Sequence, residues 1–394
     1  MNIVIFGNTN NYPLLLAEGL IELGHNVKLI LNRKELLHRP ESKHPEWKKS
    51  YPSWIYDCSE IDEIDIASGT PKINKVKKLL SRNIDLAILN DTGPALIDFL
   101  KAPHIVFLTG SDLAYYANFN SLKEMTSIWS SEFKRSINGR HYIRNMTNFI
   151  ARQREGILSA QIVCYGHRGL VPTGDELLDD IGVVDEQRMM LYLSNVKILA
   201  SKAAPTNQQL RILCGSRIVF NTKKHTSFSA LDFKGTDLLI KGFSGYCQLG
   251  GKGTLILPKK GQDLNEAKQL INKLEITHQV NWLPELSLLD FYEEMSKADL
   301  VCDQFGTSFP GMVATDAYAL GRPVLANLRN DIFGDVFPEP LPGFNANSSS
   351  EITEHLLKFD NNSNLLVEKG IESRKYAEKY LSPIKMAEKL LARL

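Results

Sequence analysis

The sequence has almost no net charge and few cysteines. Its 394 residues include 46 Lys and Arg against 45 Asp and Glu, a formal charge of +1 at pH 7. A chain without a global positive field does not attract nucleic acid, so we expect no nucleic-acid partner. The cysteines are odd in number and widely spaced, with no C-x-x-C pair and no nearby histidine to complete a zinc site. This pattern is typical of apolar fillers in a reduced cytosolic core, and the residues are Cys58, Cys164, Cys214, Cys247 and Cys302.

Long apolar runs are also lacking. No run reaches the roughly 18 residues that a membrane-spanning helix needs. The first residues, Met1 to Gly7, have no basic region ahead of their short apolar run, unlike a secretory signal peptide. We therefore expect a cytoplasmic protein, for which peripheral contact with the cytoplasmic face of a membrane stays open.

The length and composition predict two α/β domains. Hydrophobic residues make up 43% of the chain and charged residues 23%, as in a globular protein. Residues 1–200 begin with an apolar strand Ile3–Phe6, a helical pattern Pro13–Leu23 and a second strand Val27–Leu31. Unbroken apolar strands are buried on both faces, which predicts a parallel sheet covered by helices. Further strands of this kind are predicted at 86–89, 105–108 and 162–165.

Residues 201–380 repeat the alternation as a second domain. Strands are predicted at 210–214, 218–220, 254–257, 280–282, 300–302 and 324–326. Helices are predicted at 235–246, 264–274, 288–295, 312–320, 349–359 and 365–380. Residues 381–394 form a last helix, for which packing against the first domain is one option. The predicted fold class is α/β, with two doubly wound, Rossmann-like domains facing across a cleft and ligands at the carboxyl ends of the strands.

The most informative segment is 301–325, where a strand runs into a Gly-containing loop and a helix opens. The free N–H groups and positive dipole of a helix start form an anion site, so phosphate is the natural ligand near Gly311, Met312 and Val313. Asp316 lies one turn further along, where its carboxylate can accept both hydroxyls of a ribose. Alternatively, Gly311 is only a tight turn and Asp316 a solvated helix residue, and this pattern alone does not decide.

This segment resembles the donor-binding signature of the retaining GT-B glycosyltransferases of family GT4. That signature has a Glu, a Gly-rich turn and a second Glu, followed by a small-residue helix and a G-x-P-V strand. Asp316 takes the second acidic position, and the rest is matched by Ala317, Ala319, Gly321, Pro323 and Val324. Ser308 takes the first acidic position, where the family's Glu holds the donor sugar. The resemblance implies that Asp303 substitutes from the strand end or that sugar recognition has changed.

A second match lies at Gly215-Ser216-Arg217 and at 233–243. These segments resemble the family's G-R and K-G-x-D-x-L-I-x-A, whose Arg and Lys bind the donor diphosphate. The resemblance implies that Arg217 and Lys234 stabilise the charge that grows on the departing diphosphate. The gap between the two cations is longer than in the family. Lys234 precedes a predicted helix start, and a cation there is expected to have an anionic partner.

Two further positions follow from the same resemblance. Residues 280–284 match the family's base-pocket strand, which implies that Leu283 and Pro284 contact the nucleotide base. In the first domain, the loop that begins with Gly7 and Asn8 is placed like the family's first glycine-rich loop, which implies that both residues take part in donor binding.

The family's histidine near the catalytic centre has no clear counterpart in this sequence. Ser111 and Asp112 follow a predicted strand at the matching place, where they can position an acceptor hydroxyl. Alternatively, Asp112 is an N-cap that opens the next helix.

A basic segment, residues 123–154, interleaves cations with apolar residues. Its cations are Lys123, Lys134, Arg135, Arg140, Arg144, Arg152 and Arg154. Basic amphipathic helices of this kind lie on anionic membranes, although a solvated helical face over the core fits the same pattern.

The sequence therefore predicts a glycosyltransferase of hexosyltransferase type that moves a sugar from an NDP-sugar to a glycan or lipid-linked acceptor, with retention. Neither a carboxylate pair at glycosidase spacing nor a metal motif is present, so the NDP-sugar is a co-substrate and we expect no metal or other cofactor. Two alternatives stay open, an NDP-sugar epimerase of the same fold and a non-catalytic nucleotide-sugar-binding scaffold.

Overall fold

The structure, a computed structural model, describes residues 1–81, 83–197, 199–205, 209–221, 233–306 and 309–394. It divides into two compact units. The first unit comprises Met1–Leu191 and Met386–Leu394, and the second comprises Tyr192–Lys385. The sequence had suggested residue 200 as the boundary, and the end of the last helix belongs to the first unit.

The first unit is built on a parallel sheet with the strand order β3-β2-β1-β4-β5-β6-β7. Its strands are β1 (Asn2–Phe6), β2 (Asn26–Leu31), β3 (Ile55–Asp57), β4 (Leu86–Leu89), β5 (His104–Phe107), β6 (Ile162–Cys164) and β7 (Arg188–Met189). Its helices are α1 (Tyr12–Glu22), α2 (Glu63–Ser68), α3 (Asn74–Leu80), α4 (Ser111–Ala114), α5 (Phe119–Ser127), α6 (Ser131–Arg135), α7 (Ile137–Leu158) and α8 (Pro172–Ile181). The central strands are buried on both faces, because their apolar runs have helices on either side.

The second unit contains a parallel sheet with the order β10-β9-β8-β11-β12-β13. Its strands are β8 (Arg211–Cys214), β9 (Thr254–Pro258), β10 (Val280–Leu283), β11 (Leu300–Cys302), β12 (Val324–Ala326) and β13 (Phe344–Asn345). The helices are α9 (Thr236–Gln248), α10 (Leu264–Lys273), α11 (Leu288–Ser296), α12 (Met312–Ala319), α13 (Asn330–Phe333), α14 (Ser349–Asn361) and α15 (Asn364–Tyr376). A last helix, α16 (Pro383–Leu391), spans the division between the units.

Both sheets reverse their winding direction next to their first strand. In the first unit the reversal lies between β1 and β4, and in the second between β8 and β11. Loops leave these strand pairs in opposite directions, which opens a crevice at the carboxyl ends of the strands. No helix among the described residues is long and apolar enough to cross a membrane.

The predicted strand at 218–220 is wrong. Ile218 and Val219 are buried, but they lie in a loop that bonds to other loops. The Ile218 N–H donates to Lys260 O, and the Val219 carbonyl accepts from Lys234 N. The two apolar side chains thus pack on the core although their backbone is a loop, whose hydrogen bonds are made to other loops and not within a sheet.

Gly7 provides a test of the close packing at the first reversal point. Its φ is +89°, and a Cβ there would lie 2.5 Å from the Asn90 carbonyl oxygen, whereas Gly24, with φ +84°, has no atom within 4 Å of its Cβ position. We expect Gly24→Ala to cost about 1 kcal/mol from backbone strain alone. Gly7→Ala should cost at least about 2 kcal/mol more, because the backbone after β4 must move. Urea unfolding of both variants measures the difference, and equal costs would contradict this account.

Candidate functional site

The crevice of the second unit is bordered by the loops that follow β8 and β11. Gly215 begins the first loop, and its N–H donates to Cys302 O at 3.0 Å. A Cβ on Gly215 would lie 2.3 Å from Val313 Cγ1. The glycine therefore allows the first turn of α12 to pack directly against the loop after β8.

Asp303, the residue after β11, connects the parts of this crevice. Its side chain is buried, and its Oδ1 accepts from Ser216 Oγ at 2.6 Å. Its Oδ2 accepts from Gly311 N at 2.6 Å and from Ala314 N at 3.3 Å. Burial raises the pKa of Asp303, while these hydrogen bonds and the charge of Lys234 oppose the rise. Asp303 thus caps the start of α12 from the end of the neighbouring strand.

The anion site predicted at the start of α12 is therefore partly occupied by the protein itself. The N–H groups of Gly311 and Ala314 bind Asp303. The N–H groups of Met312 and Val313, which belong to the same first turn, have no acceptor among the described residues. Two of the four N–H groups thus remain for a ligand oxygen, beside the positive end of the helix.

Lys234 lies beside the same helix start. Its Nζ donates to Gln304 Oε1 at 2.9 Å, and the Gln304 Nε2 lies only 2.7 Å from where a Cβ on Gly311 would be. The Lys234 backbone is fixed too, because its carbonyl accepts from Phe305 N and Gly235 takes φ +64° before α9. Arg217, the second predicted cation, is exposed on the loop directly after Ser216.

Asp316 is buried rather than solvated, with 4% of its surface exposed. Its Oδ1 accepts from Asn195 Nδ2 at 2.5 Å and its Oδ2 from the Tyr292 hydroxyl at 2.9 Å. A ribose hydroxyl would therefore have to share this carboxylate with protein donors. The role of Asp316 in ribose binding stays a prediction.

The remaining predicted positions of the second unit fall at the same edge or outside the described residues. Leu283 ends β10, two strands from β8, and is half-buried, while Pro284 is exposed. Ser308, the position of the family's first Glu, lies outside the described residues.

In the first unit, both polar atoms of the Asn8 side chain form hydrogen bonds within the protein. Its Nδ2 donates to Asn11 Oδ1 at 2.7 Å and to His38 O at 2.9 Å. Its Oδ1 accepts from Leu14 N at 2.9 Å, which fixes the loop to the start of α1. The preceding Gly7 lies against Asn90. This loop therefore presents a packed surface, and a donor-binding role for Gly7 and Asn8 stays a prediction.

Asp112 is completely buried below the loop that precedes α4. Its carboxylate accepts from the N–H groups of Thr109, Gly110 and Leu113 and from Asn90 Nδ2. Burial raises the pKa of Asp112 to about 6 even though these donors oppose the rise. The carboxylate thus holds the backbone of its own loop, a role similar to the N-cap that the sequence left open. The N-cap residue of α4 is, however, Gly110 and not Asp112. Ser111, beside it, is exposed as the first residue of α4.

A cavity of about 360 Å³ opens near the carboxyl ends of β2 and β3. Arg33 lines it and forms a bidentate ion pair with buried Asp91, with N–O distances of 2.6 and 2.7 Å. Its other lining groups mix both charges with amide and hydroxyl groups, among them Asn32, Glu60 and Thr92. Such a surface offers both donors and acceptors to a ligand.

The sequence did not reveal the side chains that hold the predicted site residues in place. Ser216 and Gln304 lie within the motif segments 215–217 and 301–325, but the motifs predict no role for their side chains. Asn195 and Tyr292 are 121 and 24 residues away from Asp316 along the chain, and no local pattern links them to it. Among the described residues, no group of His, Cys, Asp or Glu is arranged to hold a metal ion.

Comparison with known proteins gives structural matches only. No protein-family model and no curated protein matches the sequence. HepE (Alr3699) of Anabaena, solved with UDP-glucose, is 14% identical over 100% of both chains, with a TM-score of 0.63. Sucrose-phosphate synthase (tll1590) from Thermosynechococcus elongatus is 12% identical over 100% of this chain and 98% of its own, with a TM-score of 0.56. A candidate UDP-N-acetylglucosamine 2-epimerase from Listeria monocytogenes is 12% identical over 100% and 95%, with a TM-score of 0.51.

These likenesses establish the fold of the chain. Two α/β domains with parallel sheets, in the order observed here, are those of the GT-B fold, and the predicted fold class is confirmed. At such identities the activity does not follow from the likeness.

The raised pKa of Asp112 predicts a pH dependence of stability. The folded state binds this proton more tightly than the unfolded state, whose pKa is about 3.9. The resulting stabilisation, roughly 3 kcal/mol, is fully present below about pH 4 and is lost as the pH rises through 6. Relative to Asp112→Asn, the parent should therefore lose several degrees of Tm between pH 4 and 7.

Thermal unfolding of both proteins across this range measures the effect. Asp98→Asn, which changes a half-exposed carboxylate in the same unit, is the matched control. A Tm difference between parent and Asp112→Asn that stays constant from pH 4 to 7 would refute the assignment.

Proposed function

We propose that this protein is a retaining glycosyltransferase. It transfers a sugar from a nucleotide-diphosphate donor, held by the second unit, to a hydroxyl group of a glycan or lipid-linked acceptor. The observation that carries the proposal is the convergence of the Lys234 ammonium, the Gln304 amide and the first turn of α12 at one crevice. Such groups match the oxygens of a diphosphate.

The donor would bind along the carboxyl edge of the second sheet. Its diphosphate would accept from the N–H groups of Met312 and Val313 and from Lys234, with Arg217 as a second cation. The base would lie against Leu283 and Pro284 at the end of β10. The ribose would reach Asp316, and the sugar would approach Asp303.

The chemistry requires stabilisation of a leaving diphosphate. As the glycosidic bond to phosphate breaks, negative charge grows on the bridging oxygen. The bond of Lys234 Nζ to Gln304 Oε1 fixes this cation before the reaction, so little reorganisation is needed at the transition state. Two cations and helix N–H groups supply this stabilisation in the proposed mechanism without a metal.

Two further observations bear on the choice of function. HepE is solved with UDP-glucose, so a GT-B protein with this fold accommodates a nucleotide sugar. The candidate epimerase from Listeria has the same fold, which makes an NDP-sugar epimerase the second candidate. The cavity beside Arg33 favours the transferase, because its mixed donors and acceptors suit a hydroxyl-rich acceptor and an epimerase needs none.

A panel of NDP-sugars, offered with and without glycan acceptors, separates the candidates. A transferase releases NDP only when acceptor is present, and its product keeps the anomeric configuration. An epimerase changes the sugar without acceptor, and a scaffold binds donor without turnover. Failure of every NDP-sugar to shift the melting temperature would overturn the proposal.

We expect Lys234→Ala to lower the rate of transfer by about 10² to 10³, since one preorganised electrostatic contact is lost. Its effect on unfolding free energy should stay below about 1 kcal/mol. Lys241→Ala, on the following helix, removes an exposed lysine that pairs with Asp237 and serves as the control. A Lys234→Ala rate within about threefold of the parent would remove this residue from the mechanism.

The basic segment 123–154 supports a lipid-linked acceptor. At the turns around α6 the side chains of Ile128 and Ile137 are 87% and 79% exposed, and Phe133 is exposed too. Arg135 and Arg140 are exposed beside them. Exposed apolar side chains among cations are the pattern of a membrane-surface segment, and we propose that it contacts the cytoplasmic face of a membrane.

Not all cations of the segment are available for lipid. Arg152 lies 3.7 Å from Asp98 and donates to Ile66 O. Arg154 pairs with Asp180 at 2.8 Å. The proposed contact therefore rests on the stretch from Ile128 to Arg144.

Changing Ile128 and Ile137 together to Ser should reduce sedimentation with vesicles of phosphatidylserine and phosphatidylcholine, because the apolar contact is lost. Changing Arg135, Arg140 and Arg144 to Ser should reduce it in a salt-sensitive manner, by roughly 1 kcal/mol per cation. Leu249→Ser, an exposed apolar residue of the second unit, is the control. A parent protein that stays in the supernatant at low salt would show that the segment is a solvated face.

A further inference from the structure

A second cavity lies at the opposite edge of the sheet in the second unit. It has a volume of about 660 Å³, within the range of small-molecule sites. Its lining includes residues that immediately precede strands: Leu210 before β8, Asp299 before β11 and Pro323 before β12. The predicted nucleotide site lies at the carboxyl ends of these same strands, so the two sites are separated by the sheet.

Arg322 lines this cavity and is only 1% exposed. Its Nη2 donates to the carbonyls of Lys202 and Ala203 at 2.8 and 2.5 Å. Its Nε is buried and has no hydrogen-bond partner among the described residues. Burial lowers the pKa of Arg322, and the nearby charge of Asp299 opposes this only in part.

No carboxylate of the described residues forms an ion pair with Arg322. Asp299 accepts from the backbone N–H of Arg211 at 2.8 Å, and Asp360 accepts from the Tyr246 hydroxyl at 2.5 Å. A buried guanidinium whose hydrogen bonds go to two neutral carbonyls is costly, since Asp299 compensates its charge only in part. Water can satisfy its Nε–H but cannot neutralise its charge.

The rest of the lining indicates which kind of ligand could compensate the charge of Arg322. Helix α15 contributes Leu366, Val367 and Ile371, and the last two are partly exposed at the mouth. This wall suits an apolar body of a ligand. The two cations of the lining, Arg322 and Lys202, are matched by Asp299 and Asp360, so a single negative charge is accommodated better than the near-double charge of a phosphate group.

We propose that this cavity is a binding site for a small monocarboxylate with an apolar body. The carboxylate accepts from Arg322, and the apolar body packs against α15. The site is independent of the proposed function, because it shares no residue with the crevice at Lys234.

The test uses benzoate as the probe, with phenyl phosphate and benzyl alcohol as comparisons, in ligand-observed NMR titrations of the full chain. Benzoate should bind more tightly than phenyl phosphate, and benzyl alcohol, which lacks the charge, should bind most weakly. Arg322→Gln keeps a donor for the two carbonyls but removes the charge, and it should weaken benzoate binding on the order of tenfold or more.

A second variant keeps the test decisive if Arg322→Gln does not fold. Ile371 is 54% exposed at the mouth, so Ile371→Asp adds a negative charge with little effect on folding and should also weaken benzoate binding on the order of tenfold. Ile371→Asn is the matched neutral control and should retain most of the affinity, as should Lys234→Ala.

Three results would overturn the proposal. They are no benzoate binding at millimolar concentration, equal binding of benzyl alcohol, or benzoate binding that Ile371→Asp leaves unchanged. Loss of benzoate binding in Lys234→Ala would also refute this site, because it would show that benzoate binds at the other edge of the sheet.

Discussion

The geometry of the crevice in the second unit depends on the hydrogen bonds that one buried carboxylate, Asp303, accepts. Asp303 follows a fully buried strand, so its charge must be met by protein groups rather than by water. Ser216 from the loop after β8 and two N–H groups from α12 meet it. Three separate elements are thereby fixed to one point, and the charge of Lys234 adds further compensation. The positions of the N–H groups left at the start of α12 follow from that arrangement.

The two units differ in the groups that lie where the winding direction of the sheet reverses. In the first unit Asn90 fills the reversal point, because its Oδ1 accepts from Thr9 N and its Nδ2 donates to Phe107 O and Asp112. The polar groups there are directed at one another. In the second unit the Lys234 ammonium, which donates to Gln304, and the N–H groups of Met312 and Val313 border the corresponding place. This difference explains why an anionic ligand is assigned to the second unit.

The sequence predicted the long elements well, because their signals are local. Unbroken apolar strands such as Ile3–Phe6 and the helix start at Met312 are visible within a few residues. The two-residue strands β7 and β13 carry too few apolar residues to be seen. The buried state of Asp316 was not predictable either, because it depends on Asn195 and Tyr292, which reach it only through the fold. Local pattern predicts where the candidate site lies, and nonlocal contacts decide which of its groups a ligand can reach.

Helix α12 joins the two sites proposed for the second unit. Its first turn is held by Asp303, and its end is closed by Gly321, which takes φ +71° and donates its N–H to Tyr318 O. The Arg322 N–H then donates to Ala317 O at 2.8 Å, a pairing that terminates a helix and fixes the direction of the following chain. The buried guanidinium is therefore anchored to the same eight-residue helix whose start borders the crevice. The start of α12 is thus held by the side chain of Asp303 and its end by the backbone of Gly321 and Arg322, so the two sites are joined by one short, fixed helix.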